Sequence, residues 1–144
     1  MDVVTLKRIR NIVMKYTPEN ITHLEPNQIF VYGANARFRH GAGAAKLALK
    51  WGAKHGMAGL VGQTYGIPTK DKKIQTLPLD KIQVHVNDFL ATAFSHPEYE
   101  FLVTKIGTGL AAIPISDIAP LFKTVKTTGV FENVILPEEF HKYI

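Results

Sequence analysis

The chain has 144 residues, 46% of them hydrophobic and 20% charged, the proportions of one ordinary globular domain with one core. It contains no cysteine, which excludes a disulfide framework, a thiolate nucleophile and a Cys-based zinc site. Seventeen lysines and arginines against twelve acids leave a net charge of +5 that suits an anionic ligand, but the basic residues are spread along the chain, so a mildly basic solvated surface accounts for them as readily as a nucleic-acid footprint.

From Leu6 to Tyr16 apolar residues fall at Leu6, Ile9, Ile12, Val13 and Tyr16, a spacing that predicts an amphipathic helix stopped by Pro18. Residues 20–27 read as a connector, and Gln28–Tyr32 as a short buried strand ending at Gly33. A second helix is expected from Gly41 to Lys54, with Gly56 as its stop. Tyr65–Pro68 reads as another strand, running into the polar loop Thr69–Lys73. Pro78 opens a third helix, with Leu79, Ile82, Val86, Phe89, Leu90 and Ala93 on one face. Glu100–Ile106 is the clearest strand. Ser116 is expected to cap a helix through Ile118, Leu121, Phe122 and Val125, and Val130–Leu136 returns as the last strand.

This alternation predicts an α/β fold of three layers, α/β/α, built on a mixed, mainly parallel sheet. Residues 1–144 form a single domain in this reading, with residues 1–27 a helix and connector ahead of the first sheet strand. No apolar run approaches the roughly 20 residues needed to cross a bilayer, and the start lacks the pattern of a signal peptide, so a soluble, cytoplasmic protein is expected. The six histidines show no metal-ligand spacing. No metal and no cofactor are implied.

In open α/β sheets, ligands settle beyond the carboxyl ends of the strands, and three such ends are informative here. The first is Gly33–Ala45, a polar loop with Asn35, Phe38 and Arg39 leading into a helix start at Gly41, Ala42, Gly43 and Ala44. Bare backbone at a helix start offers N–H donors to an anion, although small residues also permit close helix-to-sheet packing. The required Gly-Lys-Ser/Thr of a P-loop is absent. The third loop, Gly107, Thr108, Gly109 and Leu110, repeats the glycine pattern, and successive N–H groups of this kind make an anion-binding nest. Between them, Lys70 closes the middle strand as a phosphate contact, a nucleophile or a solvated charge.

Taken together these residues resemble macrodomains, nearest to the branch that contains terminal ADP-ribose protein glycohydrolase and the DNA ADP-ribosyl glycohydrolase antitoxins. Asn35 followed by Gly41-Ala42-Gly43-Ala44 is similar to that branch's Asn loop and Gly-x-Gly helix start; Ile67-Pro68-Thr69-Lys70 is similar to its strand end with a catalytic lysine; Ile106-Gly107-Thr108-Gly109-Leu110 resembles its Gly-Cys-Gly loop. The order and spacing of all three agree, over most of the chain after residue 28. The chain also resembles an uncharacterised family found in phages and prophages, which would place it in the host cytoplasm or a virion. The resemblance implies that the first and third loops grip a diphosphate and the distal ribose, that Asn35 bonds ribose hydroxyls, and that Lys70 sits near the anomeric carbon; Phe38 and Arg39, by their place in the first loop, are candidate contacts near the ligand. It implies ADP-ribose or an ADP-ribosylated macromolecule as partner, nucleic acid only as a modified substrate, and no membrane partner. Hydrolysis through Lys70 would need a partly unprotonated amine, with Lys72, Lys73 and Lys105 as candidate neighbours.

One departure bears on the chemistry. Where protein-directed relatives carry an acid after the third loop, this chain has Ala111-Ala112-Ile113-Pro114, and Asp71, although next to Lys70, alternates to the other side if the loop is extended. Whether the chain is an enzyme therefore stays open. ADP-ribose binding with hydrolysis through Lys70 stands beside two alternatives: a non-catalytic module that sequesters or senses an NAD-derived nucleotide, and a structural phage-associated protein with a relict pocket.

Overall fold

Along Gln28–Asn35 alternate side chains enter two different cores, which is what a strand buried on both faces requires. Ile29 and Val31 face one cluster, whereas Phe30, Tyr32 and Ala34 face the other. The computed structural model describes residues 2–3 and 15–144, and this strand, β1, lies at the centre of its sheet. The helix predicted from Leu6 to Tyr16 falls almost wholly outside the described residues.

Five strands are described: β1, β2 (Gly59–Val61), β3 (Thr64–Lys70), β4 (Glu100–Val103) and β5 (Val134–Ile135), in the spatial order β2-β3-β1-β4-β5. The pairs β1–β3, β1–β4 and β4–β5 are parallel, and only the β2–β3 hairpin is antiparallel, so the sheet is mixed and mainly parallel as expected. One face is covered by the helix α2 (Leu79–Ser95), followed later by α3 (Ile115–Ile118) and α4 (Lys123–Thr128). The other is covered by α1 (Gly43–Ala48), its 3-10 continuation Leu49–Trp51, and the connector residues Ile21 and Leu24.

Several boundaries differ from expectation. The second helix is much shorter than Gly41–Lys54: Ala42 is still extended at φ −158°, and Gly52 ends the 3-10 turn in the left-handed region at φ 101°. The β2–β3 hairpin was not expected. Its turn, Gly62–Gln63, needs glycine because a Cβ on Gly62 would lie 2.8 Å from the Trp51 carbonyl oxygen, at φ +57°. β3 extends to Lys70 through Pro68, which is tolerated because β2 pairs only as far as Gly66 and demands no N–H from Pro68 on that side. Ser116 is not a cap: the helix starts after Pro114, and Pro120 divides the expected single helix into α3, a 3-10 turn at Ala119–Phe122, and α4. The last strand shrinks to Val134–Ile135, and β4 stops at Val103 because Thr104 turns both its N–H and its hydroxyl onto the Val31 carbonyl, at 3.1 and 2.8 Å. No helix among the described residues is long and apolar enough to cross a membrane.

Candidate functional site at three strand ends

Because β3, β1 and β4 are adjacent and parallel, their carboxyl ends meet along one edge, and glycine makes the meeting close. A Cβ on Gly33 would lie 3.3 Å from the Gly107 nitrogen, 3.4 Å from Thr69 Oγ1 and 3.6 Å from Ile106 Cβ. Three loops separated by some seventy residues of chain thus converge on one spot, with Thr69 buried between the two glycines. Hydrogen bonds link them: Ala36 N–H donates to the Lys70 carbonyl at 2.8 Å, and Thr76 Oγ1 donates to the Ala111 carbonyl at 3.0 Å. Asn35 and Lys70 are register partners across β1 and β3.

The first loop is held by Asn35 itself. Its Oδ1 accepts from the backbone N–H groups of Arg37 and Arg39, at 3.0 and 3.2 Å, and its Nδ2 donates to the Arg39 carbonyl at 3.0 Å. The amide is thereby spent on loop geometry, leaving one N–H for a ligand where the resemblance implied freer hydrogen bonding to ribose. Gly41, Ala42, Gly43 and Ala44 follow as an exposed strip. A Cβ at Gly41 or Gly43 would meet nothing within 4 Å, so close packing does not explain either glycine. No side chain caps α1, and no hydrogen bond within the described residues engages the N–H groups of this strip. With only six residues, however, α1 contributes less dipole than the longer helix that was expected. Phe38 turns inward against the second core, and Arg39 stays exposed.

The third loop is a tight turn, in which the Thr108 N–H donates to the Lys105 carbonyl at 3.3 Å. Gly107 has φ +75°, its carbonyl accepts from Ile113 N–H at 2.8 Å, and Thr108 Oγ1 donates to the Lys105 carbonyl at 2.8 Å. The Thr108 hydroxyl proton is therefore committed, while Gly109 and Leu110 are exposed with their N–H groups unengaged among the described residues. Lys70 is half-buried at the end of β3. Two of its expected partners do other work. Lys105 is bound by Glu19 at 2.9 Å and Glu139 at 2.6 Å, which raise its pKa and neutralise it as a positive neighbour. Asp71 holds the 71–75 turn, its Oδ1 accepting from Lys73 and Gln75 N–H at 2.8 and 3.0 Å. Lys72 and Lys73 are exposed on that turn.

Beside the third loop, a cleft of about 520 Å³ opens between Thr104, Lys105, Pro18, Glu19, Pro137 and Glu139. Of the candidate site residues singled out from sequence only Lys105 lines it; the glycine strips, Asn35 and Lys70 lie outside it.

Beneath the first loop lies a feature that sequence reasoning missed. His40, 2% exposed, has Nε2 at 2.7 Å from the Tyr32 hydroxyl, and its backbone N–H donates to His55 Nδ1 at 3.0 Å; His40 Nδ1 is buried without a partner. The one available signal was that His40 directly precedes the glycine strip. Burial pushes Tyr32 up to about 12, so it stays protonated. Burial, and then the neighbouring His55, lowers His40 from 6.5; His141 is lowered by burial, and then by Lys126. A histidine held neutral by folding contributes stability that is present above pH 6.5, where the unfolded chain is neutral too. That stability is lost as the pH falls below 6.5 towards the depressed folded value. The exposed carboxylates Glu19 and Glu98 are lowered by their partners Lys105 and His96, so their contribution is lost at more acid pH than that of the histidines. Thermal melts should fall across that window, and His40→Gln, which keeps a polar atom for Tyr32, should flatten the slope. Identical slopes in the two proteins would contradict this assignment.

Comparison with protein-family models, with curated proteins and with solved structures finds no match to this chain.

Proposed function

We propose that the strand-end ledge binds the diphosphate of ADP-ribose or a related NAD-derived nucleotide, in a macrodomain-like arrangement of the α/β fold. The observation that carries this reading is the convergence of Gly33, Thr69 and Gly107, which joins the ends of β1, β3 and β4, with two strips of unengaged backbone N–H, Gly41–Ala44 and Gly109–Leu110, in the loops that follow β1 and β4. Paired N–H nests without side chains are anion sites of low steric cost. The adjoining cleft supports an orientation: its three acids outnumber Lys105, which pairs with Glu19 and Glu139, so the cleft is net negative and suits the nucleoside better than the phosphates, which stay on the glycines.

Binding is favoured over hydrolysis. No carboxylate on the described loops is free to serve Lys70, since Asp71 is tied into its turn and Ala111 occupies the position where protein-directed relatives carry an acid. Turnover, if the lysine performs it, rests on Lys70 alone. Lys70→Ala should retain ADP-ribose binding within a few-fold and lose all release of ADP-ribose from ADP-ribosylated protein or nucleic acid. Undiminished turnover in Lys70→Ala would remove the lysine mechanism, and turnover absent from the unmutated protein, with binding intact, would leave the sequestering module.

A further inference from the structure

The lysines and arginines are dispersed along the chain, but the acids are not. No aspartate or glutamate occurs between Pro26 and Lys70, and residues 26–79 carry eight basic residues against the single Asp71. The remaining ninety residues hold nine basic and eleven acidic side chains, so a chain of net +5 divides into a strongly positive part and a slightly negative one.

The fold gathers the positive part. The loop with Arg37 and Arg39 is bonded to the end of β3 through Ala36 N–H and the Lys70 carbonyl at 2.8 Å, and to the 53–57 turn through Gly56 N–H and the Phe38 carbonyl at 2.8 Å. Arg37, Arg39, Lys54, Lys72 and Lys73 are exposed on these adjoining segments. Ion pairs among the described residues form at Lys15, His23, His96 and Lys105, none of them here, and Asp71 Oδ1 accepts from the Lys73 and Gln75 N–H groups of its own turn.

We infer that this edge is a nucleic-acid-binding surface that tracks a phosphate backbone without reading sequence. Phosphates recur at every nucleotide, and a ridge of cations over three adjoining loops can follow them, whereas carboxylates on an acidic protein do not repeat. A membrane surface fits less well, because interfacial binding draws on a long amphipathic helix and the only helix in this segment is six residues. Single exposed apolar side chains, Met57 and Ile74, flank the ridge and offer contact to base faces. The inference rests on charge and topology and does not depend on the nucleotide reading of the ledge.

Anisotropy of a labelled oligothymidylate of about 16 nucleotides tests it with the full chain. Affinity should fall steeply with salt. The triple substitution Arg37→Ser, Lys72→Ser, Lys73→Ser should weaken binding roughly 100-fold at ~0.1 M salt and lower the salt slope by about 2, since each single-strand contact contributes about 0.7 log units there. Lys81→Ser, Lys123→Ser, Lys142→Ser, an equal change of charge elsewhere, should alter affinity less than about threefold. Equal losses in both triples would reduce the effect to net charge and overturn the proposal. So would absence of binding at about 50 mM salt, or tighter binding to phosphatidylserine-containing vesicles than to the oligonucleotide. ADP-ribose affinity in the first triple reports the ledge separately.

Discussion

Gly109→Glu should abolish ADP-ribose binding while leaving the fold intact. Gly109 is exposed, an added Cβ meets nothing within 4 Å, and its φ is not in the left-handed region, so the new side chain brings neither clash nor backbone strain. It does bring a carboxylate to the loop where the diphosphate is proposed to sit. Like charges forced together at an interface cost several kcal/mol, and each ~1.4 kcal/mol is tenfold in affinity, so a loss of roughly 100-fold or more is expected. The corresponding change at Gly43 would be ambiguous, because φ +60° there adds strain of its own, and Gly107 is worse, with Ile113 Cδ1 3.0 Å from an added Cβ. The melting temperature of Gly109→Glu should match the unmutated protein, as surface substitutions away from special features usually do within about 0.5 kcal/mol. A variant that melts normally and binds normally would take the third loop out of the site.

The second large effect concerns the core. Phe89 is fully buried on α2, with ring centroids 5.1 Å from Tyr65 on β3 and 5.6 Å from Phe101 on β4, so it joins the helix to two strands of the sheet. Phe89→Ala removes the ring and leaves a cavity that neighbouring aromatic rings fill poorly, at a cost of about 3–5 kcal/mol. For a chain of this length that corresponds to a fall in Tm of roughly 10 °C. Val84, on the same helix but 55% exposed, provides the contrast: Val84→Ala should change stability by less than about 0.5 kcal/mol. Comparable losses at the two positions would mean that α2 is not seated by the face that carries Phe89.

That face is also where sequence reasoning served best. The period of Ile82, Val86, Phe89, Leu90 and Ala93 placed all five in the core, because seventeen residues give a helical repeat time to declare itself. Leu79 shares the period yet is 38% exposed, at the first position of the helix. The three strand ends were legible for a related reason: each couples a short apolar run to glycine or a polar stop. Shorter elements left less trace. α1 is built from Gly, Ala, Lys and Leu with no clear apolar stripe, β2 has three residues, and Pro120 breaks a segment whose apolar spacing reads as continuous. What could not be read at all is partnership across the fold. Nothing local marks Asn35 as the brace of its own loop, Lys105 as the property of Glu19 and Glu139, or His40 as a buried companion of Tyr32. The acid-free stretch from Pro26 to Lys70 was present in the sequence throughout, but it acquires meaning only when the fold brings its cations to one edge.

Gly33, Thr69 and Gly107 converge at the strand ends where the nucleotide diphosphate is proposed to sit. Calorimetric titration of the purified chain with ADP-ribose, with AMP and NAD as comparison ligands, tests that site most directly. Saturable one-to-one binding of ADP-ribose is expected, with weaker binding of AMP, which lacks the diphosphate, and loss of the ADP-ribose signal in Gly109→Glu. A well-folded protein that takes up none of the three would contradict it and return the glycines to a role in bringing the strands together.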